Sequence, residues 1–238
     1  MKLNIFHSVI TDGIMSKDKK YFKDISKDDI EAMYYLKTKR FLQKYNLSND
    51  DMIVMNSKNK KIATRVVTRN QKDYKEAVLM LKETTNNLPI LVETDDDPVI
   101  VASAEDENNK KVAVIGLATI ENLKNGLIHE MTESIMKETD KATFEMTFYI
   151  GPCPDKENYI VNKEEVNHKI FEKAIETKKN NTYPDIRYAI FNELYLEIVD
   201  PNNIYFDSTD TVTSDKYFSK LGKKEGKHVS CIVFTEEE

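Results

Sequence analysis

The run Thr94-Asp95-Asp96-Asp97-Pro98 places three carboxylates side by side after an apolar stretch. Carboxylate oxygens are the ligands a hard cation takes, and a carboxylate in a cleft can also serve as a general base. Consecutive side chains point in different directions, however, and Asp-Asp-Pro is good turn chemistry, so the residues by themselves predict an acidic, solvated turn. His129 and Glu133 stand four apart on a predicted helix, a spacing that can chelate a metal, although a solvated polar face is the simpler reading. His7 lies in a predicted strand and reads as a hydrogen-bonded strand histidine rather than a catalyst. Cys153, in Gly-Pro-Cys-Pro, lacks the neighbouring cation or helix start that activates a thiol, and Cys231 falls in an apolar strand and reads as core.

The elements that must position these residues come from hydrophobic spacing. Residues 3–10 predict a strand closed by Asp12-Gly13, and 27–46 a helix capped by Ser26. Short β-rich runs follow at 52–55 and 62–68, and 77–81 is ambiguous between strand and helix. Three apolar runs (88–93, 99–104, 112–118) suit buried strands. A helix is predicted over 121–138, a strand over 144–150, helices over 164–178 and 188–198, and strands over 204–206 and 228–234. No linker, repeat or low-complexity block divides the chain, so 1–238 reads as one α+β domain with mixed sheets.

Composition bounds the function. In 238 residues, 32% are charged and 40% hydrophobic, which is ordinary for a soluble folded chain and excludes wholesale disorder. The longest apolar stretch, 112–120, is too short for a membrane span. A net charge of −6 with basic residues that are nearly all lysine disfavours nucleic acid. Two distant cysteines and a lysine-bearing start without an apolar run point to a cytoplasmic protein. The four histidines are scattered, with no second histidine or cysteine at ligand spacing. Copper chemistry, which needs clustered His and Cys, is therefore not expected.

Taken in order, several segments resemble the bacterial laccase-domain proteins, long labelled polyphenol oxidases and now regarded as purine nucleoside phosphorylases with adenosine deaminase side activity. Phe6 to Ser16 resembles the family's "GFTTRHGGVS" start, and Lys39-Arg40-Phe41-Leu42 with Tyr45-Asn46-Leu47 its "NRRRLAEALGL" helix. Leu91 to Val101 resembles "LTADCLPVLL", and Gly151-Pro152 through Val166 resembles "GPxIxxCYEVxxEV". Asn203-Ile204-Tyr205 through Thr209, Tyr217-Phe218-Ser219 and Gly226-Lys227 are similar to the C-terminal block. The resemblance runs over nearly the whole chain and implies a layered α/β/β/α sandwich with mixed sheets.

It also implies a zinc centre, built from the His of "QVHG", the Cys of "ADC" and the His of "HAGWRG". Here the first position falls on or near Asn59 and the second on Asp96. The third falls on Leu117 or, with a gap, on Ile115. An amide, one carboxylate and an aliphatic side chain do not make a zinc site, so the resemblance implies these catalytic positions with the metal lost and no cofactor expected. Asp95, Asp97 and Thr209 are the ligand-binding candidates that accompany them. Two functions stay open. One is a degenerate member that binds a purine nucleoside, a related small molecule, a protein or its own copy. The other is an active phosphorylase- or deaminase-type enzyme with a rewired site, in which Asp95, Asp96 and Asp97 serve as general base or bind a hard cation and Asn59 orients the substrate.

Overall fold

The computed structural model describes residues 1–55, 61–71 and 74–236. Its strands are β1 (Lys2–His7), β2 (Ile53–Met55), β3 (Lys61–Val66), β4 (Glu76–Lys82), β5 (Ile90–Thr94), β6 (Val99–Glu105), β7 (Lys111–Leu117), β8 (Thr147–Ile150), β9 (Ile175–Lys178), β10 (Asn181–Pro184), β11 (Ile204–Phe206) and β12 (His228–Thr235). Its helices are α1 (Lys27–Gln43), α2 (Ile120–Lys124), α3 (Leu127–Thr139) and α4 (Ile186–Leu196).

Two mixed sheets stack face to face. One has the order β1-β12-β5-β2 and the other β11-β8-β6-β7-β4-β3. The core between them comes from alternate residues of each: Ile90, Val92, Ile232 and Phe234 meet Leu79, Leu81, Val101 and Ile115. The opposite face of the first sheet (Leu91, Val229, Cys231, Val233) packs on Phe41 and Leu42 of α1. The opposite face of the second (Val78, Met80, Ile100, Val114, Phe148) packs on Leu127, Met131 and Ile135 of α3 and Ala189 and Ile190 of α4. Both sheets are thus buried on two faces, which is why β5, β6 and β7 read as continuous apolar runs rather than alternating ones. The expected α/β/β/α layering is the observed one.

The ambiguous segment 77–81 resolves as β4, a strand paired on both edges and buried from Glu76 to Leu81. The helix expected over 121–138 is two helices, because Gly126 (φ 86°) takes a left-handed conformation that ends α2 and restarts the chain as α3. The helix expected over 164–178 is corrected outright. Val166, Ile170, Phe171 and Ala174 are buried as their spacing suggests, but on turns around a short 3-10 segment, Lys169–Phe171. The His168 ring receives the Ile170 N–H at 3.4 Å, and the chain then enters β9, which pairs with β10. Lys179 and Asn180, both at positive φ, form the two-residue connection that such a hairpin favours.

Candidate functional site

The turn 95–98 is where the chain leaves one sheet for the other, since β5 belongs to the first and β6 to the second. That crossing carries the acidic run into the end of the sandwich, against the loops 207–227. The expected solvated turn is therefore corrected for Asp96, which is 6% exposed. One of its oxygens accepts from Thr211 Oγ1 (2.9 Å) and Ser219 Oγ (2.6 Å), and the other from the Leu221 backbone N–H (3.0 Å). Burial raises the Asp96 pKa above the usual carboxylate value, while these three donors pull it down. Thr94 Oγ1 closes the turn on the Asp97 carbonyl (2.5 Å), and the Asp96 N–H donates to Asp95 Oδ1 (2.9 Å).

Asp97 differs from its neighbour. Burial, reinforced by Asp95 and Asp96, pushes it up to about 7, against the opposing pull of Lys227 and Lys220. A carboxyl that exchanges a proton near neutrality is the chemical resource of this turn. A cleft of about 370 Å³ is lined by Lys20, Tyr21, Lys220, Lys223, Glu225 and Gly226, and Lys220 is one of the cations that act on Asp97. Lys20 is raised by its hydrogen bond to Tyr21, and also by Asp18 and Asp95, which ties the cleft to the acidic turn.

The other expected site residues are placed as follows. Leu117 ends β7 in the inter-sheet core, 2% exposed, and Ile115 lies fully buried on the same face. Asn59 lies outside the described residues. Thr209 is half-buried and held through its backbone: its N–H donates to Asp207 Oδ1 (2.8 Å), and its carbonyl accepts from Arg187 Nη2 (3.0 Å). These positions do not fit a zinc ion. Leu117 and Ile115 carry no donor atom, and Asp96 already directs both oxygens at protein donors. Among the described residues no three His, Cys, Asp or Glu side chains form a metal-binding group.

His129 does not join Glu133. It pairs with Glu197 (3.0 Å), while Glu133 pairs with Lys137 (2.7 Å). His7 is the hydrogen-bonded strand residue its position suggests: Nδ1 meets Ser230 Oγ at 2.9 Å and Nε2 meets Tyr149 OH at 2.8 Å, bridging the two sheets. Nearby His228 is fully buried against the Tyr217 ring at 4.8 Å, and neither ring nitrogen makes a hydrogen bond among the described residues. Burial lowers His7 to about 4 and His228 to about 3, so both rings are neutral at pH 7. Cys153 is buried and its thiol is pushed up to about 12, mainly by burial, which leaves it unreactive.

Of the polar partners of Asp96, only Ser219 falls in a stretch that resembles the family, and neither Thr211 nor Ser219 reads from the sequence as a partner of Asp96. Thr211 and Ser219 stand 115 and 123 positions away, a separation that local spacing does not reveal. Their weight can be measured. Asp96→Asn keeps an oxygen for the two hydroxyls but turns an NH2 toward the Leu221 N–H. We expect a loss of about 2 kcal/mol, or a Tm fall of roughly 4–8 °C by calorimetry. An unchanged Tm would mean that the carboxylate does not hold the loops.

Residues 24–235 match the family model described as multi-copper polyphenol oxidoreductase laccase. The fold is shared with the Bacillus licheniformis hypothetical protein YfiH, at 16% identity over 86% of this chain and 82% of that one, with a TM-score of 0.73. It is likewise shared with YlmD from Geobacillus stearothermophilus (13% identity, 86% and 81% covered, TM-score 0.74). The Neisseria meningitidis protein NMB0706 is similar at 16% identity, 86% and 82% coverage and a TM-score of 0.66. No curated protein matches the sequence. No helix among the described residues is long and apolar enough to cross a membrane. With the layered fold and a family match spanning nearly the whole length, the chain belongs to the multi-copper polyphenol oxidoreductase laccase family.

Proposed function

We propose that this chain is a family member that has kept the scaffold and lost the zinc chemistry, and that it acts by binding a purine nucleoside or related small molecule at the Asp95–Asp97 turn. The observation that carries this reading is the use made of Asp96. At the position matched to the family's cysteine, the side chain is a structural acceptor for Thr211, Ser219 and Leu221 rather than a free ligand. The test combines metal analysis of protein purified without added metal with phosphate-dependent cleavage of inosine and adenosine. The reading expects no stoichiometric transition metal, no turnover, and saturable nucleoside binding by calorimetry. One equivalent of zinc with turnover would overturn it.

A second reading rests on Asp97. A buried carboxyl pushed up to about 7, which feels the charge of the cleft residue Lys220, is equipped to accept a proton from a bound substrate. On this reading the base is Asp97, because both Asp96 oxygens already accept hydrogen bonds from Thr211, Ser219 and the Leu221 N–H. If nucleoside turnover is found without zinc, Asp97→Asn should lower kcat at least 100-fold with little change in KM. Equal turnover in that variant would remove Asp97 from the mechanism.

A further inference from the structure

Helix α4 has an outer face unlike that of a solvated helix. Its sequence, Ile-Arg-Tyr-Ala-Ile-Phe-Asn-Glu-Leu-Tyr-Leu, contains two charged residues, and both are turned to the protein. Arg187 pairs with Asp155 and donates to the Cys153 and Thr209 carbonyls at 3.0 Å each. Glu193 is half-buried, faces Lys169 and His168, and has its pKa raised chiefly by burial. Just past the helix, Glu197 is occupied by His129 and Thr132. Residues Tyr188, Asn192, Tyr195 and Leu196 have the i, i+4, i+7, i+8 spacing of one helix face, on which Asn192 is half-buried and the other three are exposed. Tyr188 is 41%, Tyr195 62% and Leu196 66% exposed.

Ile198 extends the stripe. It is 72% exposed and sits at φ 63°, a left-handed conformation in which glycine or asparagine is usual after a helix and a β-branched residue is an outlier. Its N–H donates to the Tyr195 carbonyl (3.1 Å), which closes the last turn of the helix. A strained position that also exposes an aliphatic side chain is doubly unfavourable in an isolated chain.

We propose that this stripe is a self-association surface, on which α4 packs against α4 of a second copy about a two-fold axis. A two-fold axis lays a patch on itself, so a face without formal charge meets its own copy without repulsion. The chain as a whole carries −6, which makes other faces poorer partners for self-contact. The area is also adequate. The four exposed apolar side chains offer roughly 450 Å² per copy, comparable to the largest apolar patch on an ordinary monomer, which is often functional. Two copies with the flanking Phe191 and Asn192 reach about 1,000 Å², the lower bound of a specific interface.

The experiment is sedimentation velocity of the full chain across roughly 1–200 µM, with variants Leu196→Lys and Tyr195→Ser checked for unchanged circular dichroism. Wild type should pass from the 27.6 kDa species to twice that mass with rising concentration. Leu196→Lys, which sets like charges across the axis, should weaken association at least 30-fold, and Tyr195→Ser about tenfold. Asn192→Cys under mild oxidation should give a covalent dimer, since Cys153 and Cys231 are buried. A single-chain mass at every concentration would overturn the proposal, including a case in which a different protein covers α4. A dimer indifferent to all three substitutions would do the same.

Discussion

Replacing His228 with leucine is expected to make the protein markedly more resistant to acid. In the folded chain His228 is held down to about 3 by burial, whereas in the unfolded chain it takes a proton near 6.5. Between these values the unfolded state binds the proton and the native state does not, so stability falls as pH is lowered from about 6.5. At about 1.4 kcal/mol per pH unit, the loss from this one residue is on the order of 3 kcal/mol by pH 4. Leucine removes the titration, so its effect is read as the difference in stability between the two pH values rather than as the stability at pH 7 alone. Urea unfolding at pH 7 and pH 4 should show the variant losing about 3 kcal/mol less than wild type over that interval. An identical loss in both would mean that His228 titrates normally and is reached by water.

Asp97→Asn should act with the opposite sign. Asp97 is raised to about 7 in the folded chain, against an ordinary value near 3.9 when unfolded. Here the native state holds the proton while the unfolded state has lost it, so this group favours folding at low pH and penalises it as pH rises through 7. Asparagine removes the penalty. We expect the variant to be more stable than wild type by on the order of 4 kcal/mol at pH 8 and little different at pH 4. Since Asp97 offsets His228 and His7 between pH 4 and 6.5, the acid limb of Asp97→Asn should be steeper than that of wild type. Equal stability at pH 8 would place the carboxyl in solvent and remove the basis for its role as a proton acceptor.

These two groups also show what local pattern does and does not convey. The buried strands β5, β6 and β7 were legible because a strand covered on both faces must be apolar throughout, and α1 because Ser26 caps it by accepting the Asp29 N–H. The segment 164–178 misled because burial of Val166, Ile170, Phe171 and Ala174 depends on where the chain lies, and a helix is one of several ways to bury them. At the site, the acidic run announced itself, but its division of labour did not. Asp96 and Asp97 are adjacent and chemically identical in sequence. They differ because Thr211, Ser219 and the Leu221 N–H arrive at one of them from a distant loop. Asn59, the remaining family position, falls outside the described residues.

The place of β12 has a consequence for how the protein is made. It runs between β1 and β5, pairing His7 with Ser230 on one side and Leu91 with Cys231 on the other, yet it follows every other strand in the chain. During synthesis β1 and β5 therefore leave the ribosome long before the strand that joins them. Until then, each waits with an edge open and one apolar face uncovered. Closing that sheet spans more than 200 residues of intervening chain, the kind of contact that forms slowly and late. A ribosome stalled only a few codons short of β12 would carry the strands of both sheets that precede it, with the first sheet unassembled. That nascent chain, rather than the finished protein, is the species most in need of a chaperone.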